Sequence, residues 1–213
     1  MNALLLGVGR FPVMRIGVLA LQGDFEEHSS ALQRLGVEVV EIRLPEDLHD
    51  IDGIVIPGGE STTIGKLARQ YGLVEELKKL SNKIPFWGTC GGLVFMAADV
   101  GFDQPVLGIM DMKVERNAFG RQVESFEKEL RIEGLEGPPF PGVFIRAPVV
   151  MSVGKNVKIL CQVDDGRIVA VRQDNMLATS FHPELTSDDR LHRYFIAMVG
   201  ETSCSTLAGS KIS

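Results

Sequence analysis

This sequence predicts a doubly wound α/β fold on a mostly parallel sheet, and three observations carry the reading. Through about the first hundred residues, short apolar β-compatible runs alternate with segments of helical periodicity. Midway, an apolar run ends abruptly in Gly88-Thr89-Cys90-Gly91-Gly92, and a helix-compatible segment follows. From Gly101 onward short strand-like runs dominate, extending or capping the sheet.

Residues 15–20 form an apolar run of the kind a central parallel strand shows. Leu21-Gln22-Gly23-Asp24 turns the chain. Asp24 with Glu27 fits a capping box, and Phe25, His28, Leu32 and Leu35 give helical spacing up to Gly36. Residues 37–42 and 52–56 read as the second and third strands, the latter running into Pro57-Gly58-Gly59-Glu60-Ser61-Thr62-Thr63. Two helices follow, one with Ile64, Leu67, Ala68 and Tyr71 on a single face and one over residues 73–80. A fourth strand then enters the cysteine turn, and residues 93–98 continue as helix. Further strands are expected at 107–114, 126–132, 142–145, 157–163, 168–171 and 176–181, separated by turn signals such as Asp164-Asp165-Gly166 and Asp174-Asn175. Thr186-Ser187-Asp188-Asp189 opens a last helix with acids in its first turn and Leu191, Tyr194, Phe195 and Met198 apolar. One domain is expected over 14–200, with 1–13 as an extension ahead of it and the Ser/Thr/Gly-rich 201–213 as a flexible tail.

Composition narrows the function classes. The chain has 213 residues, 45% hydrophobic and 23% charged, enough for one sizeable core. A net charge of −6 without long single-sign runs excludes an electrostatic nucleic-acid or anionic-membrane binder. No segment approaches transmembrane length. Cys90, Cys161 and Cys204 make neither a disulfide framework nor a zinc-ligand spacing, which points to a reducing, cytoplasmic compartment.

Gly-x-Cys-x-Gly between a strand and a helix has the form of a nucleophile elbow, a tight turn that lifts one side chain above the sheet. Composition alone would produce the pattern roughly 0.03 times in this chain. By itself it also fits a buried cysteine at a glycine turn. A catalytic thiol needs a base. His28, His49 and His192 read as surface or packing histidines. His182 follows an apolar strand, with Glu184 two residues on. In an extended chain those side chains share a side, so the carboxylate can hold one ring nitrogen while the other faces a thiol. Alone, His182-Pro183-Glu184 fits a strand-ending turn with a surface ion pair better than it fits a catalytic pair. Together with the elbow it makes a Cys–His–Glu triad. Pro57-Gly58-Gly59-Glu60-Ser61 lacks the Gly-Lys-Ser/Thr ending of a phosphate loop, and its glycines suit close approach of backbone to a substrate.

Gly88-Thr89-Cys90-Gly91-Gly92 followed by Ser180-Phe181-His182-Pro183-Glu184 resembles the class I (triad) glutamine amidotransferases. Leu19-Ala20-Leu21-Gln22-Gly23, Pro57-Gly58-Gly59-Glu60-Ser61-Thr62-Thr63, the block from Val114 to Val123 (Glu115-Arg116-Asn117-Ala118-Phe119-Gly120-Arg121-Gln122 within it) and Val143-Phe144-Ile145-Arg146-Ala147-Pro148 are similar to the glutaminase subunits of pyridoxal 5′-phosphate synthase. The likeness runs from about Met14 to Val199. One departure sits at the elbow: the family usually has Cys-Ala-Gly, and this chain has Cys90-Gly91-Gly92. The resemblance implies a flavodoxin-like three-layer sandwich and hydrolysis of L-glutamine to glutamate and ammonia, with no cofactor and no metal. It implies Cys90, His182 and Glu184 as catalytic residues, oxyanion donors at Gly59 and Gly91, and glutamine contacts from Gly58, Gly59, Glu60, Arg116, Ile145 and Arg146. Gln22 would respond to a partner, a (β/α)₈ barrel synthase that uses the ammonia in a complex of twelve plus twelve subunits. Two rival readings are an amidotransferase feeding a histidine- or purine-pathway synthase, and a silent interaction protein on the same scaffold. The Glu115-to-Gln122 block speaks against the first and His182-Pro183-Glu184 against the second.

Overall fold

The computed structural model describes residues 13–116 and 125–209, with 203–209 as backbone only. Residues 1–12 of the expected extension and residues 117–123 of the Val114–Val123 block lie outside the described residues.

The alternation expected at the start is present. β1 (Arg15–Leu19), α1 (Phe25–Arg34), β2 (Glu38–Ile42), β3 (Gly53–Ile56), α2 (Ser61–Gln70), α3 (Leu73–Ser81), β4 (Phe86–Thr89) and α4 (Gly91–Met96) follow one another. The strand-rich second half comprises β5 (Ala97–Asp99), β6 (Met110–Glu115), β7 (Ser125–Leu130), β8 (Phe140–Ile145), β9 (Val149–Val153), β10 (Lys158–Gln162), β11 (Ile168–Gln173) and β12 (Met176–Thr179), and α5 (Arg190–Gly209) closes it. The main sheet runs β2-β1-β3-β4-β12-β11-β9-β6-β5, with β10 beside β11, and β7-β8 form a separate hairpin. β2, β1, β3, β4 and β12 are mutually parallel, whereas β11 and β9 pair antiparallel with their neighbours.

Period-two alternation along the central strands divides the core into two layers. Ile54, Ile56, Phe86, Met176 and Ala178 face α2, α3 and α4 through Ile64, Ala68, Leu77 and Phe95. Ile16, Val18, Val55, Trp87 and Leu177 face α1, α5 and the hairpin through Leu32, Phe195, Val199 and Phe144. This is the expected three-layer sandwich.

Several local expectations are corrected. Asp24 is the N-cap of α1, but its side chain makes no cap hydrogen bond and turns instead toward His182, an ion pair that outcompetes the local cap. α4 ends at Met96, because residues 97–99 pair with β6. β9 has no counterpart among the expected strands: 149–153 pairs with β6 and β11 across a register shift, with Val149 and Val150 both buried and Met151 and Ser152 both exposed, so it lacks period-two alternation. Tyr71 caps α2 at its C-terminus and is exposed rather than on the apolar face. Asp188 and Asp189 precede α5, where Asp188 accepts from Arg190 Nε at 2.9 Å. The helix continues to Gly209, so residues 201–209, expected as a tail, prolong it.

The parallel core aligns the carboxyl ends of β3, β4 and β12. Ile56 pairs with Gly88, and Thr179 with Thr89. The segments leaving these ends, at Gly58, Cys90 and Ser180, therefore meet above the middle of the sheet, where open α/β folds bind ligands. Glycine is required beneath them. A Cβ on Gly92 would lie 2.0 Å from the carbonyl oxygen of Ile56. Gly92→Ala is thus expected to lower the unfolding free energy by about 1–3 kcal/mol, measured by denaturant titration; an unchanged midpoint would contradict the packing described.

Candidate active site

Cys90 occupies the elbow between β4 and α4 at φ 45°, in the left-handed region, with its N–H donating to Thr179 O at 2.8 Å. A non-glycine residue there is strained by about 1–3 kcal/mol and persists only where its surroundings enforce it. Its sulfur lies 3.9 Å from the carbonyl oxygen of Ile145, the last residue of β8 in the β7–β8 hairpin. The hairpin is tied down by the His182 N–H donating to Val143 O at 2.8 Å and by Phe144 packing on Phe181. Cys161, by contrast, is a packing thiol that burial pushes up to about 11.

His182 leaves the end of β12, and Glu184 sits on the 3₁₀ turn Pro183–Leu185. His182 Nδ1 donates to Glu184 Oε1 at 2.7 Å, which leaves Nε2 for the Cys90 sulfur. Asp24 Oδ2 lies 3.3 Å from the same Nδ1. Burial works against a charge on His182, but Asp24, Cys90 and Glu184 outweigh it and push the imidazole up to about 12. Burial likewise opposes the Glu184 carboxylate, and His28 and His182 together hold it well below the usual carboxylate range. Asp24, His182 and Glu184 offer donor atoms within 4.8 Å of one another, and two acids facing one imidazole account for that cluster without an ion.

These groups open on a cleft of about 340 Å³ whose walls include Cys90, Gly91, His182, Gly59, Glu60 and Gln22, with Arg116, Ile145 and Arg146 opposite. Gly58 is set back from the wall, because a Cβ there would lie 2.5 Å from the His182 ring. Gly59 has φ 149° and packs so tightly on Gly91 that a Cβ on Gly91 would come within 2.2 Å of its carbonyl oxygen. Gln22 Oε1 accepts from the Glu60 N–H at 2.6 Å, joining the β1 and β3 loops. Glu60 is engaged as the N-cap of α2, accepting from the Thr62 and Thr63 N–H groups at 3.3 and 2.7 Å, and it pairs with Arg116 at 3.0 Å. Against a desolvation that raises it, those partners hold its carboxylate below the ordinary range. Arg116 also donates to Thr62 Oγ1 and lies over the Phe102 ring, so it is a built part of the rim. Arg146, at φ 43°, is exposed on the cleft edge.

Two residues read from sequence as surface or packing histidines lie directly behind the triad. His28 is fully buried on α1, with Nε2 3.2 Å from Glu184 Oε2 and 3.1 Å from Thr89 Oγ1. Its Nδ1 is 3.1 Å from His192 Nε2 on α5, also buried. The signal for this in the sequence is faint: His28 and Leu32 share a helical face. His49 is exposed, as expected.

A thiol on a strained elbow, aligned by a parallel sheet with an imidazole that leans on a buried carboxylate, is the arrangement of the class I glutamine amidotransferases. Comparison with known proteins is specific. Residues 18–201 match the SNO glutamine amidotransferase family. The chain is 52% identical over 189 residues to the pyridoxal 5′-phosphate synthase subunit PdxT of Roseiflexus sp. (strain RS-1), covering 87% of this chain and 100% of that one. It is 54% identical over 190 residues to the PdxT of Dehalococcoides mccartyi (strain ATCC BAA-2100 / JCM 16839 / KCTC 5957 / BAV1), covering 87% and 97%. A crystal structure of a glutamine amidotransferase superposes with a TM-score of 0.83 at 52% identity, covering 87% of this chain and 98% of that one. PurLQS from Thermotoga maritima shares the fold, with a TM-score of 0.62 at 18% identity over 92% of this chain and 99% of that one. The chain belongs to the SNO glutamine amidotransferase family. It is a glutaminase of the amidotransferase type, acting on the side-chain amide of glutamine.

The buried carboxylate sets a pH dependence. A folded-state pKa held below the unfolded 4.5 contributes stability that is present above about pH 4.5 and lost as pH falls toward the folded value. Glu184→Gln is therefore expected to show a shallower loss of unfolding free energy between pH 7 and pH 3 than the parent, by denaturant titration at each pH. Equal slopes would mean that Glu184 is not held as a paired carboxylate.

Proposed function

We propose that Cys90, His182 and Glu184 hydrolyse L-glutamine through a glutamyl thioester and that the ammonia passes to a pyridoxal 5′-phosphate synthase partner. The observation that carries the chemistry is the 2.7 Å contact between His182 Nδ1 and the buried Glu184 carboxylate, in a cleft that also holds the elbow cysteine. In this reading His182 takes the Cys90 proton through Nε2, and the sulfur attacks the amide carbon. The oxyanion is held by backbone N–H groups of Gly59 and Gly91, each such donor being typically worth about 3 kcal/mol of barrier. His182 returns the proton to the departing nitrogen, then activates water against the thioester while Glu184 holds the ring's tautomer and orientation. Arg146, exposed at the rim, suits the substrate carboxylate, and Glu60 with Arg116 forms a charged pair to meet the rest of the amino acid beside Gly58 and Ile145.

The partner rests on likeness to relatives named as subunits of pyridoxal 5′-phosphate synthase and on Gln22, which bridges two cleft loops and so can relay docking. The partner would be a barrel-shaped synthase, in an assembly of twelve plus twelve. The reading sets the reaction in a reducing, cytoplasmic compartment, where Cys90 stays a free thiol. Among the described residues no helix is long and apolar enough to cross a membrane. Ammonia release from glutamine, assayed with and without the barrel subunit, tests both halves. Cys90→Ala should abolish release and Glu184→Gln should lower kcat by about 10²-fold or more. Full turnover by Cys90→Ala would sink the triad, and release indifferent to the barrel subunit would sink the partnership.

A further inference from the structure

Glu184 needs more than His182. Only one of its oxygens is used by the His182 ring, and among the described residues Oε2 is buried with no aligned hydrogen bond although His28 Nε2 lies 3.2 Å away. A buried carboxylate oxygen facing a bare nitrogen lone pair would be repelled, so the proton of His28 belongs on Nε2. The other side of the ring agrees. His28 Nδ1 meets His192 Nε2 at 3.1 Å, and His192 Nδ1 is buried without a partner among the described residues. Burial, with His28 alongside, pushes His192 down to about 3, so it is neutral and has one proton to place. With that proton on Nε2, donated to His28 Nδ1, the unpartnered His192 Nδ1 is a lone pair rather than a stranded N–H. His28 then has its own proton on Nε2, toward Glu184. Trp87 holds both rings edge-on, at 5.4 Å from His28 and 5.0 Å from His192.

From this geometry we infer that His28 is a positioning residue for the glutaminase reaction: it fixes the Glu184 carboxylate, and His192 in turn fixes the tautomer of His28. The inference rests on the triad reading above. The chain His192–His28–Glu184–His182 runs from α5 through α1 to the imidazole that serves Cys90. His28 Nε2 also reaches Thr89 Oγ1, at 3.1 Å, the residue immediately before the nucleophile, so one ring braces both the acid and the elbow. His28 does not itself line the cleft, and its imidazole acts on the site through Glu184 and Thr89.

The side-chain amides of glutamine and asparagine separate this role from simple packing. In His28→Gln the amide N–H can take the place of Nε2, whereas in His28→Asn the shorter amide reaches only the Nδ1 side. Full-length His28→Gln, His28→Asn and His28→Leu are assayed for glutamine hydrolysis with the barrel subunit present, next to Cys90→Ala, and each is checked for a cooperative melt. His28→Gln should stay within about threefold of the parent, while His28→Asn and His28→Leu should lose about 10–10²-fold in kcat with KM within about twofold. If His28→Leu does not fold, the Gln and Asn pair alone decides. Equal activity of the Gln and Asn variants, or losses that appear in KM instead, would overturn the positioning role. Turnover by Cys90→Ala would instead indict the triad reading itself, so the two failures are distinct.

Discussion

The hydrogen bond from His182 Nδ1 to Glu184 is the interaction on which the rest of this site depends. A carboxylate taken fully out of water costs several kcal/mol unless its neighbours replace the lost hydration. Here those neighbours come from three parts of the chain: His182 beside it, His28 from α1 and, behind that, His192 from α5. The pair therefore forms only when the helical layer is docked on the sheet. Function and folding are coupled at this point, because removing one member leaves a buried polar atom of its neighbour short of a partner.

The second constraint is backbone proximity. Three loops leave adjacent parallel strands and converge above the sheet with almost no side-chain volume between them. Gly23 packs against Gly58, Gly59 against Gly91, and Gly92 against Ile56, each so closely that a Cβ would overlap a carbonyl. That closeness leaves main chain rather than bulky side chains along this side of the cleft, at Gly23, Gly59 and Gly91. Gly91, at the position where the family pattern usually has alanine, belongs to the same arrangement. In this chain the Gly59 loop has settled into the space that a methyl group would fill.

Much of this was legible in the sequence, for reasons of range. Parallel strands buried on both faces announce themselves as short apolar runs, and 15–20, 37–42, 52–56 and 176–181 appear within a residue or two of their expected places. The elbow and the His182-Pro183-Glu184 turn are also local patterns, so Cys90, His182 and Glu184 stand out before any contact is known. What the sequence hides depends on partners far along the chain. Asp24 has the sequence form of a helix cap but is drawn to His182, because an ion pair with a buried imidazole outweighs one N-terminal hydrogen bond. Glu60 reads as a substrate ligand yet also caps α2, a role its position four residues before Ile64 does not reveal. His28 meets His192 across a separation of 164 residues, which no periodicity encodes. β9 lacks the alternation by which half-buried strands are recognised, since its pairing with β6 shifts register and leaves Val149 and Val150 both buried and Met151 and Ser152 both exposed.

Trp87 gives this arrangement an optical consequence. It is the sole tryptophan in the chain, fully buried on β4, three residues before the nucleophile, with its indole N–H donating to Thr179 Oγ1 at 3.2 Å. Its ring stands edge-on to both His28 and His192. Indole emission is blue-shifted in an apolar setting and quenched by a charged imidazole in contact. The intrinsic fluorescence of this protein is therefore a native reporter of the hydrogen-bond chain behind the thiol, read without a label from the strand that carries the nucleophile.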